Sequence, residues 1–299
     1  MPASHAASGR LIPVQRLRPG DHAFVGYGDD EVRWEAVTAF VRLGLARGEK
    51  ILVLPCPEVP TDEVLARIDF PNRSPVRARE RGQLVITTMR ELIRPDAEFT
   101  AARQLARLRA ATDRATAEGY TGLRAFIDMG WVADLGADAS TVARRETGAR
   151  SLFAGRPYTE VCAYDRRRFG REWVGAMEWA HPRAVLERLG GLRVALGAGG
   201  VLCFVGEADA ANRAAFVRPL ELALARTAAA RRLTVDLTGL HFLSVGCAVG
   251  LLVLVRGAAG HELVEVRCDR GQHRMLRRLG AEAVPRLAPI QTEGGARPC

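Results

Sequence analysis

The residues able to do chemistry in this 299-residue chain fall into a few groups. Asp128 ends the apolar run LRAFID, where a nucleotide hydrolase keeps a magnesium-binding carboxylate. The competing reading is a polar strand terminus that caps the next segment. A phosphate cradle would have to precede it, and GYGDDEVRW (26–34) has Gly26 and Gly28 but no lysine and no following Ser or Thr. Asp29, Asp30 and Glu31 would repel a phosphate there, so a working P-loop is excluded. His22, Cys56, Cys162 and His181 are zinc-ligand types, but no HExxH or H-x3-H spacing links them, and no metal is assigned. Neither Ser151 nor Ser244 sits in G-x-S-x-G, so no hydrolase nucleophile is assigned. The remaining group is the turn Ser244-Val245-Gly246-Cys247, between an apolar strand and an apolar helix.

These residues need elements to hold them. Short apolar runs alternate with helical spacing along the first two thirds of the chain. HAFVGY (22–27), KILVLP (50–55), QLVITT (83–88), LRAFIDM (123–129) and TEVCAYD (159–165) read as strands. Helices are expected over about 30–47, from Thr61 as a cap, and near 97–118, 139–154 and 169–180. Strands apolar on both faces predict a mainly parallel sheet covered by helices on both sides. Ligands of such sheets collect at the carboxyl ends of the strands, here Tyr27, Cys56, Thr87, Asp128, Trp131, Tyr164 and Asp165. After a break at ERLGG, a hairpin near 192–206 opens a β-β-α-β-α-β-α series. The fold class is therefore α/β in two domains, 12–186 and 190–290, with mobile tails at 1–11 and 291–299.

Composition narrows the class further. No apolar run approaches the ~20 residues that span a bilayer, and no signal-peptide core is present, so a cytoplasmic protein off the membrane is expected. The formal charge is +9, but Lys50 is the only lysine and the arginines are scattered. The run Asp165-Arg166-Arg167-Arg168-Phe169-Gly170-Arg171 reads as a solvated turn, with an anion-binding loop as the alternative. No nucleic-acid-binding motif appears. Six cysteines without a CxxC pair fit buried thiols in a reducing compartment.

GEADAANRAAF (206–216) and LTVDLTGLHFLSVGCAVGLLVL (233–254) resemble a STAS domain, the fold of anti-sigma-factor antagonists, over about 190–290. The resemblance implies a mixed sheet with helices on one face and a docking surface for an anti-sigma factor or GHKL-type kinase. Asp209, Ser244, Val245, Gly246 and Cys247 match the partner-facing positions. Val245 stands where that family carries its phosphorylated serine, so the resemblance implies docking not controlled by phosphate at that position. An alternative task for Ser244 and for Asp209 is helix capping.

GDHAFVGYGDDEVRW, FVRLGLARGEKILVL, LRAFIDMGW, TEVCAYDRRRF and AHP, from about Leu17 to Pro182, are similar to the MEDS sensory domain. That resemblance implies a RecA- or KaiC-like core that has lost its P-loop. It places His22, Tyr27, Asp128, Trp131, Cys162, Tyr164 and Asp165 in a small-molecule pocket. Together the two resemblances imply a non-enzymatic signalling regulator without a cofactor; a homodimer is compatible with the apolar helix of the second domain. The alternative is a nucleotide-binding RecA-like protein with residual ATPase activity.

Overall fold

The computed structural model describes residues 11–69, 74–93, 100–136, 138–226, 232–258 and 263–292. A two-residue strand, β1 (Leu11–Ile12), comes first. The chain then divides into two compact units. One spans Val14–Arg188; the other spans Leu189–Cys299 together with Met1–Pro13.

The Val14–Arg188 unit is built around β2 (His22–Tyr27), β3 (Lys50–Leu54), β4 (Leu84–Ile86), β5 (Leu123–Asp128), β6 (Tyr158–Asp165) and β7 (Arg183–Val185). Within it the strands lie in the order β7-β2-β6-β5-β3-β4 and every pair is parallel. Strands β2 and β5 are buried along their whole length, as strands covered on both faces must be. Its longer helices are α1 (Asp30–Arg47), α5 (Ala101–Ala117), α6 (Ala139–Gly148) and α8 (Arg171–Ala180), with short α2 (Thr61–Arg67), α3 (Pro75–Glu80), α4 (Met89–Ile93) and α7 (Arg150–Phe153) between them.

Helix α1 shows how the sequence sets its limits. Asp29 caps its start by accepting from the Glu31 N–H at 2.7 Å. Gly48 ends it at φ 73°, a left-handed conformation that costs glycine least. Inside the helix Gly44 lies so close to β3 that a Cβ there would stand 2.2 Å from Ile51 and 2.9 Å from Arg124. That close approach lets the buried Arg124 guanidinium reach Glu49 at 2.9 Å while lying over the Phe40 ring.

The second unit has five strands, β8 (Leu192–Leu196), β9 (Leu202–Ala208), β10 (Arg232–Leu243), β11 (Leu263–Cys268) and β12 (Leu287–Gln291). They lie in the order β12-β11-β10-β9-β8, with β8 antiparallel and the rest parallel. The core takes alternate residues from one face of each strand, such as Phe204 from β9, Val235 from β10 and Val266 from β11. Helices α9 (Arg213–Arg226), α10 (Val245–Gly257) and α11 (Arg270–Arg278) supply Phe216, Leu251 and Leu276 to that same core. All three therefore cover one face of a mixed sheet, and the expected α/β architecture is present in both units.

The differences from expectation have local causes. Pro60, not Thr61, holds the cap position of α2, and Thr61 is the first helical residue. The helix expected over 139–154 is two helices that meet at Ala149. Strands β7 and β12 were not anticipated: one has three residues, and the other contains Pro289, which argues against a central strand but is tolerated at a sheet edge. Gln291, expected in a mobile tail, belongs to β12, and the Thr292 N–H donates to the Cys268 carbonyl at 2.9 Å. The rest of both expected tails, 1–10 and 293–299, lies outside the described residues.

Candidate functional site

Strand alternation decides where the expected pocket residues go. Parallel pairing sets Tyr27 beside Asp165, Asp128 beside Ala163, His22 beside Glu160, and Phe24 beside Cys162. Side chains of paired residues share a face, and successive residues alternate. Tyr27, Asp128 and Asp165 therefore lie on one face of the sheet, and His22, Cys162 and Tyr164 on the other. The single pocket expected from the sequence is two separate clusters.

On the first face the Tyr27 hydroxyl donates to Asp128 at 2.6 Å, and the Gly130 N–H donates to the other carboxylate oxygen at 3.0 Å. Arg33, from the first turns of α1, reaches the same carboxylate at 3.7 Å. Burial raises the pKa of Asp128, against the pull of these hydrogen bonds. Burial, then the nearby Asp128 charge, pushes the Tyr27 phenol well above its ordinary value. Cys56 lines a narrow cleft with Arg33, Trp34 and Asp128. Its thiol donates to Glu58 at 2.7 Å, and Arg168 bridges to both. The strand-end carboxylate caps the segment that follows β5 and faces Arg33.

The second face carries a different chemistry. His22 Nε2 lies 3.3 Å from Glu146 and 3.6 Å from Cys162 Sγ. His181 Nε2 lies 3.6 Å from the same Glu146 oxygen. One ligand atom from each of these four residues falls within 4.8 Å of the other three. His22 stacks on Phe153, and Tyr164 directs its hydroxyl at Glu146 from 3.4 Å. Burial alone would raise the Glu146 pKa, but Arg145 at 2.6 Å and the two histidines hold it well below the usual carboxylate range. Burial, reinforced by His22, pushes His181 down to about 3. Burial, then the Glu160 and Glu146 charges, raises the Cys162 thiol.

Three of the four zinc-ligand types noted in the sequence therefore meet in space, and Cys56 does not join them. Trp131 stands at the margin, its ring 5.8 Å from the Arg145 guanidinium. Thr87, just past β4, donates its hydroxyl to Glu91 at 2.7 Å and its N–H to the Val53 carbonyl at 3.1 Å, and joins neither cluster. Sequence reasoning missed Arg33, Glu146 and Glu160. The signal for Glu146 was its spacing: with Val142 it forms the buried i, i+4 stripe of α6, a carboxylate where an apolar residue belongs.

The second unit places its expected docking residues around one junction. Ser244 caps α10 by accepting from the Cys247 N–H at 3.2 Å, and its own N–H donates to Ala208 at 2.8 Å. Asp209 and Asn212 exchange side chain–backbone bonds at 2.9 and 3.0 Å. Asp209 thus closes a turn ahead of α9, which begins at Arg213. Val245 is 56% exposed and Gly246 is open, whereas Cys247 is fully buried with its thiol on the Asp209 carbonyl. Cys247 is therefore a core residue and not part of a docking surface. The outward positions of α10, Val245, Val249 and Val253, recur every fourth residue and extend the exposed Phe242.

These observations define an α/β protein with a parallel-sheet unit and a mixed-sheet unit, and with clustered ionisable groups on both faces of the parallel sheet. The chain belongs to the MEDS family, the methanogen/methylotroph, DcmR sensory domain, whose model matches residues 21–182. No curated protein matches the chain. Among solved structures it is similar to a KaiC-like protein from the hyperthermophilic archaeon Pyrococcus horikoshii OT3, at 13% identity and TM-score 0.42, covering 68% of this chain and 87% of that one. It is also similar to the RadB recombinase, at 15% identity and TM-score 0.33, covering 63% and 87%.

Proposed function

We propose that this chain is a non-enzymatic signalling regulator, in which the MEDS domain senses a small molecule and the second unit docks an anti-sigma factor or a GHKL-type kinase in the manner of a STAS domain. The family membership supports the sensory half. The docking half rests mainly on one observation: the apolar stripe Phe242, Val245, Val249 and Val253 is exposed at the mouth and along the outer face of α10. Exposed apolar side chains gathered on one helix face suit a protein partner better than solvent. A valine cannot accept phosphate, so output would follow occupancy. A ligand that favours one conformation shifts the docking-competent population by no more than its differential affinity.

The nucleotide-binding alternative has a carboxylate against it. The Asp29 carboxylate already accepts from the Glu31 N–H at the start of α1, where a phosphate would have to sit. The test is affinity capture by the full chain beside a Val245→Asp variant, with mass spectrometry of what each retains. Recovery of a GHKL-fold protein or anti-sigma factor by the wild type and its loss from the variant would support the reading. Absence of such a protein, or equal retention by both, would overturn it.

A further inference from the structure

From the cluster His22, Glu146, Cys162 and His181 we infer a buried tetrahedral site for a divalent first-row cation of the zinc type. The four side chains come from β2, α6, β6 and the residue that follows α8, and none is more than 3% exposed. Two imidazoles, a thiolate and a carboxylate are the ligand types zinc takes. Ligands at the usual bond lengths of ~2.0–2.3 Å stand about 3.3–3.8 Å apart around a tetrahedral centre. Three of the six separations, at 3.3, 3.6 and 3.6 Å, fall in that range, and all six lie within 4.8 Å, so the site closes by a shift of about 1 Å or less.

An independent observation comes from His181. Its Nδ1 lies 2.7 Å from the Met177 carbonyl, which can only accept, so Nδ1 carries the proton. Nε2 is then a bare lone pair, sealed from water and without a hydrogen-bond donor. It faces the Glu146 carboxylate oxygen, also an electron-pair donor, at 3.6 Å. Two lone pairs held face to face in a dry interior repel each other unless a cation lies between them. A backbone carbonyl that fixes the tautomer is also the usual outer partner of a metal-bound histidine.

The charges close. A dication with ionised Glu146 and the Cys162 thiolate is neutral, and Arg145 on Glu146 and Glu160 on Cys162 are nearby groups of opposite sign. Binding releases the Cys162 thiol proton to solvent, a proton otherwise directed at Glu160 from 3.1 Å. All four coordination positions are filled by the chain, which is the form of a structural site, so the cation ties four elements together rather than presenting an open position.

The test uses the untagged full chain, produced with zinc and dialysed, with metal measured by plasma mass spectrometry. About one zinc per chain is expected, falling at least tenfold in Cys162→Ser and in His181→Ala, and unchanged in Cys56→Ser as a control. Cobalt substitution of the wild type reads the site without relying on those variants folding. It should give a thiolate-to-cobalt charge-transfer band with tetrahedral ligand-field bands, and folded wild type loaded with cobalt but lacking that band would overturn the site. Chelation during refolding should lower the wild-type melting temperature. Folded wild-type protein retaining no more than about a tenth of an equivalent of zinc would overturn the site. So would a full equivalent retained by folded Cys162→Ser, which would place the metal elsewhere.

Discussion

Val245 occupies the first position of α10 with more than half its surface in water, so the folded unit gains little from it. Val245→Asp is expected to change stability by no more than ~0.5 kcal/mol, as for most exposed sites. A melting curve that matches wild type, with lost partner capture, separates docking from folding. Cys56 makes the opposite case. Burial, then Asp128 and Glu58, pushes its thiol up to about 12. Raising the pH from 7 to 9 should therefore leave Cys56 unalkylated in the native protein, as read by peptide mass spectrometry. Rapid modification in that interval would show that the thiol is ionised or open. At this scale the sequence was informative about residue type and silent about neighbours. His22, Cys162 and His181 could be named as ligand types, but 159 positions separate the first from the last. Their meeting depends on the pairing of β2 with β6, which no local spacing encodes. Glu146 and Glu160 were hidden because a carboxylate on a helix or strand is read as solvated until its face is known.

The long strand β10 shows how an element carries a local motif. Asp236 accepts from both the backbone N–H and the hydroxyl of Thr238, at 2.8 and 2.5 Å, and the pairing with β9 slips between Asp236 and Gly239. The stretch DLTG is therefore an Asx-type turn inside a strand, which is a physical reason for those residue types. Buried Gln272, on α11, donates to the Leu237 and Leu240 carbonyls at 2.9 and 3.3 Å. It thereby satisfies acceptors near the bulge. Gln272→Leu should cost about 1–3 kcal/mol by removing both of these bonds together with the capping box it forms with Asp269, measured by chemical denaturation. Ser244→Ala removes the α10 cap and should cost ~1 kcal/mol, with no further loss if the serine has no role beyond capping. Glu49→Gln should cost more, about 3–5 kcal/mol, because it strands the Arg124 charge in the core. Element types were legible from periodicity and from end signals such as Gly48. Strands β7 and β12 were not, because three residues carry no period and a proline hides an edge.

Among the described residues, part of the positive charge is answered in place. Arg124, Arg145, Arg156, Arg166, Arg167 and Arg168 each face a carboxylate within 2.9 Å or less. The arginines are scattered along the sequence, although α11 gathers Arg270, Arg274, Arg277 and Arg278. Binding to duplex DNA should be weak at low salt and vanish by moderate salt, as read by fluorescence anisotropy; a complex that survives would refute this. Among the described residues no helix is long and apolar enough to cross a membrane. The two units part between Arg188 and Leu189, inside ERLGG, where the apolar alternation of the sequence lapses.

Pro289 has one more effect. It sits in the middle of β12, the outermost strand of its sheet, and offers no N–H. A neighbouring chain laid along that rim would find the ladder of donors interrupted at its centre. Self-templated growth of the sheet is thus hindered at that rim, and a strand added by another copy would have to approach from the opposite rim, β8, whose LRVAL run keeps every donor.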